Sequence, residues 1–536
     1  MEKRIEGLDD TSRFGSAFRN AFFHLARRHE EEFKMRGFTL VAGLLTIVLL
    51  AGCPVGSLFV NKTEIDLRIR DSSSVVVVSS RGSELPWTAT SDDSRVTVTP
   101  SFGQGDGQVA VSAEDFSDDF STTIEIAGFE IEVTVHDLLK KGVLYDTGQG
   151  PVDMVVASFD TDGLADFVVL NQAVNNISLF RGQTDETFVR DATSTSVGSA
   201  PSDIVLGEIS GGNAVAVVNT ESNSINIMTL SGFGAFNIEK TIMLDGNPAP
   251  VAALLTDMDG DDIQDLLILE STTGMLGVML GLGDFNFDDY SFQETTGDLP
   301  AALIAEDLNS DGFKEVVVCN SGNSSDVIMF VGDETNMFRD ATVSLGTGFV
   351  KPVAVAAGDL TGDGLPELVV ASRGAFDGSG SKISVLYNST GAGEAPSFDT
   401  PGDIALTLSE EAFPQTLVLT DMNGDGRLDL VTSVLTGAFK DILESVLGYM
   451  AFSIRYGEAG GAFRSPQTSM IPHTAATGSL DIHDDVYVEA YTVLSGDAGF
   501  QKLTVIAEDL NGDGAPDLLM NNPKVDEVAV VYNDSI

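Results

Sequence analysis

The stretch Asp421-Met-Asn-Gly-Asp-Gly-Arg-Leu-Asp429 places side-chain oxygens at positions 1, 3, 5 and 9 around a glycine at position 6. A loop of that spacing wraps a hard cation. The glycine permits the sharp bend, the oxygens alternate inward, and the carbonyl at position 7 adds to the shell. The ligand spacing recurs at Asp257, Asp259, Asp261 and Asp265, and at Asp307, Asn309, Asp311 and Glu315. It recurs again at Asp359, Thr361, Asp363 and Glu367, and at Asp509, Asn511, Asp513 and Asp517. With Asn423 and Asp425, and with the position-7 carbonyls of Ile263, Phe313, Leu365, Arg427 and Ala515, these are five expected Ca2+ sites. A sixth, weaker site has Asp160, Asp162 and Asp166, with Ser158 where the first Asp should be. A seventh copy, Glu208-Ile-Ser-Gly-Gly-Asn213, has lost its ligands.

An EF-hand needs a bidentate Glu at position 12 and flanking helices. Position 12 here is Ile268, Val318, Val370, Thr432 or Met520. The flanks are short, apolar and partly β-branched, as in Pro-Val-Ala-Val-Ala-Ala before Gly358 and Leu-Val-Val-Ala after Glu367, which is how buried strands read. Each loop is therefore expected as the turn of a β-hairpin. An Asp-Gly turn forms without metal, but a bare turn does not need the extra oxygens at positions 1, 3 and 9.

Lys and Arg number 29 against 81 Asp and Glu, a net charge of -52. That excess repels the phosphates of nucleic acid, so no nucleic-acid partner is expected. It suits a calcium-rich or saline exterior, where cations neutralise clustered carboxylates. At 43% hydrophobic, the 536-residue chain is no disordered acidic tail and is long enough for more than one domain.

Residues 35–53 have a short basic start and an apolar run from Phe38 to Ala51, too short to span a bilayer comfortably. The run ends in Leu50-Ala51-Gly52-Cys53, which resembles the lipobox of bacterial lipoproteins. The resemblance implies a signal peptide over 35–53, acylation of Cys53 and a membrane anchor through it. Residue 54 is Pro rather than Asp, so the inner-membrane retention signal of such lipoproteins is missing. The implied location is the bacterial envelope, at the outer membrane or cell surface. Residues 1–34 read as a leader or a mis-called start, with Met35 as the initiator. Cys319 then remains as the sole thiol, in a buried-strand context that predicts inert core.

Residues 58–137 show period-two stretches, such as Gln108-Val-Ala-Val-Ser and Glu130-Ile-Glu-Val-Thr-Val, between Gly and Asp clusters. They predict an immunoglobulin-like antiparallel β-sandwich. The runs Pro86-Trp-Thr-Ala-Thr-Ser-Asp-Asp and Val-Thr-Pro-Ser-Phe-Gly-Gln-Gly, with the closing Phe-Glu-Ile-Glu-Val-Thr-Val, resemble the BACON domain of bacterial surface proteins. A second aromatic frequent in that family near Arg95 is missing, so a spacer role is expected rather than glycan binding.

From residue 141 the chain is an array with first loop positions at 158, 208, 257, 307, 359, 421 and 509. A period near fifty means a propeller or solenoid. Each unit runs apolar strand, acidic loop, apolar strand, third strand and fourth strand. The third strands include Ile177-Ser-Leu-Phe-Arg-Gly and Val327-Ile-Met-Phe-Val-Gly, and Phe338-Arg-Asp-Ala-Thr-Val is a fourth. Seven four-stranded units predict a seven-bladed β-propeller over 141–536, in an all-β chain. These units resemble FG-GAP/VCBS repeats, the calcium-loop blades of the integrin α-subunit propeller and of many bacterial surface proteins. The last unit lacks a fourth strand, and Val143-Leu-Tyr-Asp-Thr-Gly aligns with fourth strands elsewhere. Pairing the two removes two exposed edges and closes the ring.

The sixth unit has the long connections. Phe439, Ile442, Leu443, Val446 and Leu447 predict a short amphipathic helix between its second and third strands. Its 473–500 connection carries His473, His483, Asp484, Asp485 and Tyr487, and Arg373–Lys382 is a longer connection in the fifth unit. All three fall on the rim opposite the acidic loops, the rim integrins use for ligands. An extracellular protein or glycan partner is expected there; neutral loop decoration is the alternative. Histidine beyond the leader is limited to His136, His473 and His483, and no nucleophile motif, phosphate loop or cofactor fingerprint appears. Paired carboxylates can hydrolyse glycosides, but the clustered carboxylates here are accounted for by cation loops. The expectation is a binding or adhesion protein and not an enzyme, with a polysaccharide-active enzyme as the alternative.

Overall fold

The computed structural model describes residues 58–533, except 61, 63, 68–72, 81–84, 94, 114–119, 136–142, 161, 232–233, 291, 334–336, 347, 375–379, 392–393, 400–401, 406–411, 437–445, 459, 464–466, 471–490, 494–501 and 524–525. The expected leader, signal peptide and Cys53 lie outside the described residues, as do His473, His483, Asp484, Asp485 and Tyr487. The chain divides into two units, Met1–Val135 and His136–Ile536. Both are β throughout the described residues, apart from one helical turn at Gln172–Val174.

In the first unit two sheets enclose one core. One sheet has Leu58–Val60, Ser73–Ser80, Gly107–Ala113 and Val96–Thr99; the other has Glu64–Leu67, Phe129–Val135, Phe120–Ile126, Pro86–Ser91 and Phe102–Gln104. Alternate residues point inward, as period two requires: Val76 and Val78 face Ile124, Ile126, Ile131, Val133 and Trp87 in the shared core. The indole of Trp87 fills the space beside Gly103 and Gly107, where an added Cβ would come within 2.1 and 2.5 Å of the ring. Its Nε1–H donates to Gly105 O at 3.0 Å. Bare backbone on that edge is thus a condition of burying the tryptophan.

The described residues of the second unit form seven sheets built on a path of four antiparallel strands, and one two-stranded ribbon, Gly281–Gly283 with Asn286–Phe287. The first strands of the seven are Pro151–Ala157, Pro201–Ile209, Pro250–Thr256, Pro300–Glu306, Pro352–Gly358, Ala412–Thr420 and Val505–Glu508. Each first strand contacts the first strand of the next sheet, and Val505–Glu508 contacts Pro151–Ala157. The second strands Asp166–Asn171, Asp265–Glu270, Glu315–Asn320, Glu367–Ser372 and Asp517–Asn522 are buried from end to end. They read as continuous apolar runs because both faces are covered. Leu266 and Ile268 pack toward the second sheet, while Leu267 and Leu269 pack toward the fourth.

The seventh sheet takes its outer strand from the start of the unit: Val143–Asp146 pairs antiparallel with Glu527–Val531. Its core joins that of the first sheet, where Tyr145 packs edge-on against Phe167, Phe180 and Phe188. The expected helix is corrected at its end. Val446 and Leu447 belong to the strand Val446–Arg455 and pair with Val493 and Thr492, so strand hydrogen bonds claim residues whose spacing read as helical. Phe439, Ile442 and Leu443 lie outside the described residues.

Candidate metal centre

Each acidic loop joins the first strand of its sheet to the second, so the loops share one end of the sheets. The position-1 carboxylate turns back onto its own loop. Asp257 Oδ1 accepts from Gly260 N at 2.7 Å and Oδ2 from Asp262 N at 2.9 Å. Asp359 likewise accepts from Gly362, Asp363 and Gly364, and Asp509 from Gly512, Asp513 and Gly514. Asp307 accepts from Gly312 N and Asp421 from Gly426 N. Position 5 accepts from the N–H of position 7, at 2.8–3.0 Å, for Ile263, Phe313, Leu365, Arg427 and Ala515. Position 6 has positive φ in every one of the five loops. Glycine takes it at 312, 364, 426 and 514, and Asp262 (φ 65°) takes it in the third sheet.

Position 9 starts the second strand and is buried: Asp265, Glu315, Glu367, Asp429 and Asp517 are at most 1% exposed. These carboxylates also staple the sheet. Asp265 accepts from Met258 N at 2.7 Å and from Gly281 N at 2.8 Å, and Gly281 lies just after the third strand. Asp429 holds Met422 N and Gly457 N, and Asp517 holds Leu510 N and Asn533 N, in the same way. Burial, with the neighbouring acidic side chains adding to it, pushes Asp265 up to about 6. The same causes push Glu315, Asp429 and Asp517 up to about 7.

Two ligand positions keep an unused oxygen. Glu315 Oε2 accepts from Leu308 N at 2.9 Å, but Oε1 is buried without a hydrogen-bond partner. The Gly332 N–H acts on this carboxylate without reaching hydrogen-bond geometry. Thr361 Oγ1, at position 3 of the fifth sheet's loop, is buried and unpartnered too. A buried oxygen without a donor is costly, and a cation at the loop centre would supply what both lack. In the third sheet Asp257, Asp259 and Asp265 bring one oxygen each within 4.8 Å of one another. Among the described residues no other such acidic trio forms; Asn309, Thr361, Asn423 and Asn511 stand where the third sheet has Asp259.

The loops with missing ligands differ. The seventh copy is a two-residue hairpin: Glu208 pairs with Asn213 and Ile209 with Gly212, and Ser210 and Gly211 both have positive φ. That is the tight turn a right-twisted hairpin favours, with no room for an ion. In the first sheet Asp160, Asp162 and Asp166 do not gather their oxygens as the third sheet's trio does, and the Arg181 guanidinium contacts Asp160.

The loops also bind the sheets to one another. Asn388 Nδ2 donates to Leu308 O at 2.7 Å, and Asn533 Nδ2 donates to Met422 O at 2.7 Å, each reaching the loop of the sheet before. Gln264 Oε1 accepts from Glu208 N at 2.8 Å.

A second charged centre escaped the sequence reading. Lys502 Nζ lies 2.7 Å from Asp153 Oδ2 and 2.8 Å from Asp203 Oδ1, joining the seventh, first and second sheets. Asp153 and Asp203 take further hydrogen bonds from Thr504 Oγ1 and Ala253 N. Burial, added to by Asp203 and opposed by Lys502, raises Asp153 to about 7. Burial also works against the charge on Lys502, but the two carboxylates outweigh it and hold that amine above its ordinary value. The signal was in register. Seven residues before the first loop position, six units carry Pro151, Pro201, Pro250, Pro300, Pro352 and Pro414; the seventh carries Lys502.

The fold and loops together define an all-β array of sheets, each turning at an acidic loop or its remnant. Residues 307–370 match the FG-GAP-like repeat family, so the chain carries FG-GAP-like repeat content, which fits a β-propeller scaffold. No curated protein matches the sequence. Among solved structures, virginiamycin B lyase from Staphylococcus aureus is 13% identical, covering 73% of this chain and 99% of its own, with a TM-score of 0.42. A putative 6-phosphogluconolactonase from Bacteroides fragilis is 14% identical over 64% of this chain and 99% of its own, with a TM-score of 0.39. A protein from Lactobacillus plantarum is 13% identical over 61% of this chain and 95% of its own, with a TM-score of 0.40. Likenesses of that size carry nothing about activity.

Proposed function

We propose that this protein is a lipid-anchored binding or adhesion protein of the bacterial envelope. Its seven sheets are the blades of a closed propeller held by Ca2+ in five acidic loops. The observation that carries the calcium reading is the buried position-9 carboxylate, pushed toward neutrality in each of four loops and, at Glu315, left with an unpartnered oxygen. A divalent ion there restores the charged form. Asp257, Asp307, Asp359, Asp421 and Asp509 would hold it with their position-3, -5 and -9 partners, at affinities on the order of 10⁻⁴–10⁻³ M for an extracellular module. Closure is supported by the Val143–Asp146 pairing and by first strands that contact one another in order and back to the start.

The ligand surface is the rim opposite the loops, with the 473–500 connection of the sixth unit as its centre. A protein or glycan is the partner class, and Cys53 is the anchor. No catalytic role is assigned. The Asp153–Asp203 pair is saturated by Lys502 and backbone, a latch rather than an acid–base couple. Deleting 474–490, which spares the strand Tyr491–Val493, is expected to abolish capture of envelope protein or of array glycans while leaving the thermal midpoint within a few degrees of wild type. Retained capture refutes the rim assignment. Release of reducing sugar from a polysaccharide by the intact protein refutes the non-enzymatic reading.

A further inference from the structure

The first loop carries three acidic side chains at ligand positions and so reads as a sixth, weaker cation site. Its surroundings differ from those of the other five loops in one residue. Gly182 ends the third strand, Asn176–Gly182, and donates its N–H to Asp166 Oδ1 at 2.9 Å, the staple seen at Gly281 and Gly457. The residue just before this staple is Leu280, Tyr456 or Tyr532 in the third, sixth and seventh units, and Val331 or Tyr387 at the matching places in the fourth and fifth. In the first it is Arg181.

The Arg181 side chain turns onto the loop. Nη1 donates to Asp160 Oδ2, Nε lies 3.1 Å from Asp191 Oδ1, and Nη2 lies 3.3 Å from Asp191 Oδ2. Arg181, Asp160 and Asp191 keep only 22%, 26% and 19% of their side-chain exposure, so the contact is largely shielded from water. Asp160 sits below the ordinary carboxylate range, held there first by the Asp162 N–H and then by Arg181. The first ligand position has changed in the same direction. Ser158 offers a hydroxyl in place of a carboxylate, and that hydroxyl donates to Asp160 O at 3.4 Å. The loop has thus lost one negative ligand and gained one fixed positive charge. A guanidinium is always charged and supplies planar donors that fit two carboxylates at once.

We propose that Arg181 takes the place of the ion in the first loop: its guanidinium neutralises Asp160 and Asp191, and residues 158–166 bind no calcium. The inference rests on the calcium reading of the other five loops and narrows it. The first and second sheets then turn without metal, one through an internal cation and the other through a tight hairpin.

The test measures calcium bound at saturation by equilibrium dialysis of the chelator-stripped full chain, together with its thermal midpoint. Asp162→Asn keeps the Oδ1 that accepts from Leu164 N at 2.9 Å and removes one formal ligand charge. It is expected to leave both the stoichiometry and the calcium-induced rise in midpoint unchanged. Ser158→Asp with Arg181→Leu restores the ligand and installs the side chain that the third unit carries. This double variant is expected to gain one equivalent of calcium and a larger calcium-induced rise in midpoint. Loss of one equivalent in Asp162→Asn, or no gain in the double variant, overturns the role of Arg181. A wild type that takes up no calcium instead refutes the reading of the five loops.

Discussion

Replacing Lys502 with methionine is expected to destabilise the protein by about 2–3 kcal/mol, below the range for a fully buried ion pair because the lysine keeps 39% of its side-chain exposure while its two partners are buried. Methionine fills similar space, so little packing is lost. What remains is two carboxylates, Asp153 and Asp203, each at most 7% exposed and without their cation. The sign with pH follows from the carboxyl group left behind. Asp153 already titrates near 7 in the folded protein, far above the 3.8 of a free aspartate. Without Lys502 it titrates higher still, so the variant is penalised most above neutrality and recovers as the solution is acidified toward pH 5. Urea unfolding of wild type and Lys502→Met at pH 5 and pH 8 measures both effects. Equal midpoints at pH 8 would show that the three side chains do not latch the seventh sheet to the first and second. Adding Asp153→Asn and Asp203→Asn to the variant is expected to restore most of the loss, which separates stranded charge from a gap in packing.

Calcium removal is the second large effect. An ion bound only by the folded chain stabilises it by RT ln(1 + [L]/Kd), about 1.4 kcal/mol per site at tenfold excess, or about 7 kcal/mol for five independent sites. Chelation at pH 7.5 is therefore expected to lower the thermal midpoint by about 8 °C, since a unit of this length unfolds with an entropy of about 2.1 cal/mol/K per residue. Acid works the opposite way on the stripped protein. Asp265, Glu315, Asp429 and Asp517 have folded values raised to about 6 or 7, from the ordinary 3.8 or 4.5 of the free side chains. A raised carboxyl binds its proton better when folded. Its penalty is absent below about pH 4, grows as the pH rises, and is complete above the folded value. The stripped protein is thus expected to melt higher at pH 5 than at pH 7.5. Saturating calcium, which competes with those protons, is expected to narrow or reverse the gap. Calorimetry at the two pH values, with and without chelator, reads this directly. A chelated midpoint equal to the calcium-loaded one at pH 7.5 would dismiss the ions as a source of stability.

Much of this was legible because the informative signals are local. Nine residues carry an entire loop, and period-two and continuous apolar runs mark strands that are half-covered or wholly covered. The repeat spacing then counts the sheets. What stayed hidden was set by neighbours distant in sequence. Position 9 reads as a plain ligand, yet Asp265 also holds Met258 and Gly281, a duty visible only once the third strand is alongside. Lys502 stands out only against prolines in register. Its partners lie 349 and 299 residues away, so no local pattern names them. Arg181 looked like an ordinary strand residue, because nothing in Ile177-Ser-Leu-Phe-Arg-Gly shows that its side chain turns toward Asp160. The failed helix has a similar origin. Apolar residues at helical spacing also suit an extended strand when Val493 and Thr492 offer backbone partners.

The strand Val143–Asp146 sits in a sheet whose other members are the final ones of the chain, and the nearby Gly150 N bonds to Asp526 Oδ1, 376 residues on. On the ribosome, then, the early strand emerges hundreds of residues before its partner exists. It must wait, edge unpaired, until Glu527–Val531 has been made. Contacts this remote slow folding and leave a sticky segment open to other chains in the interval. For such a protein, the vulnerable interval belongs to its making rather than to its service.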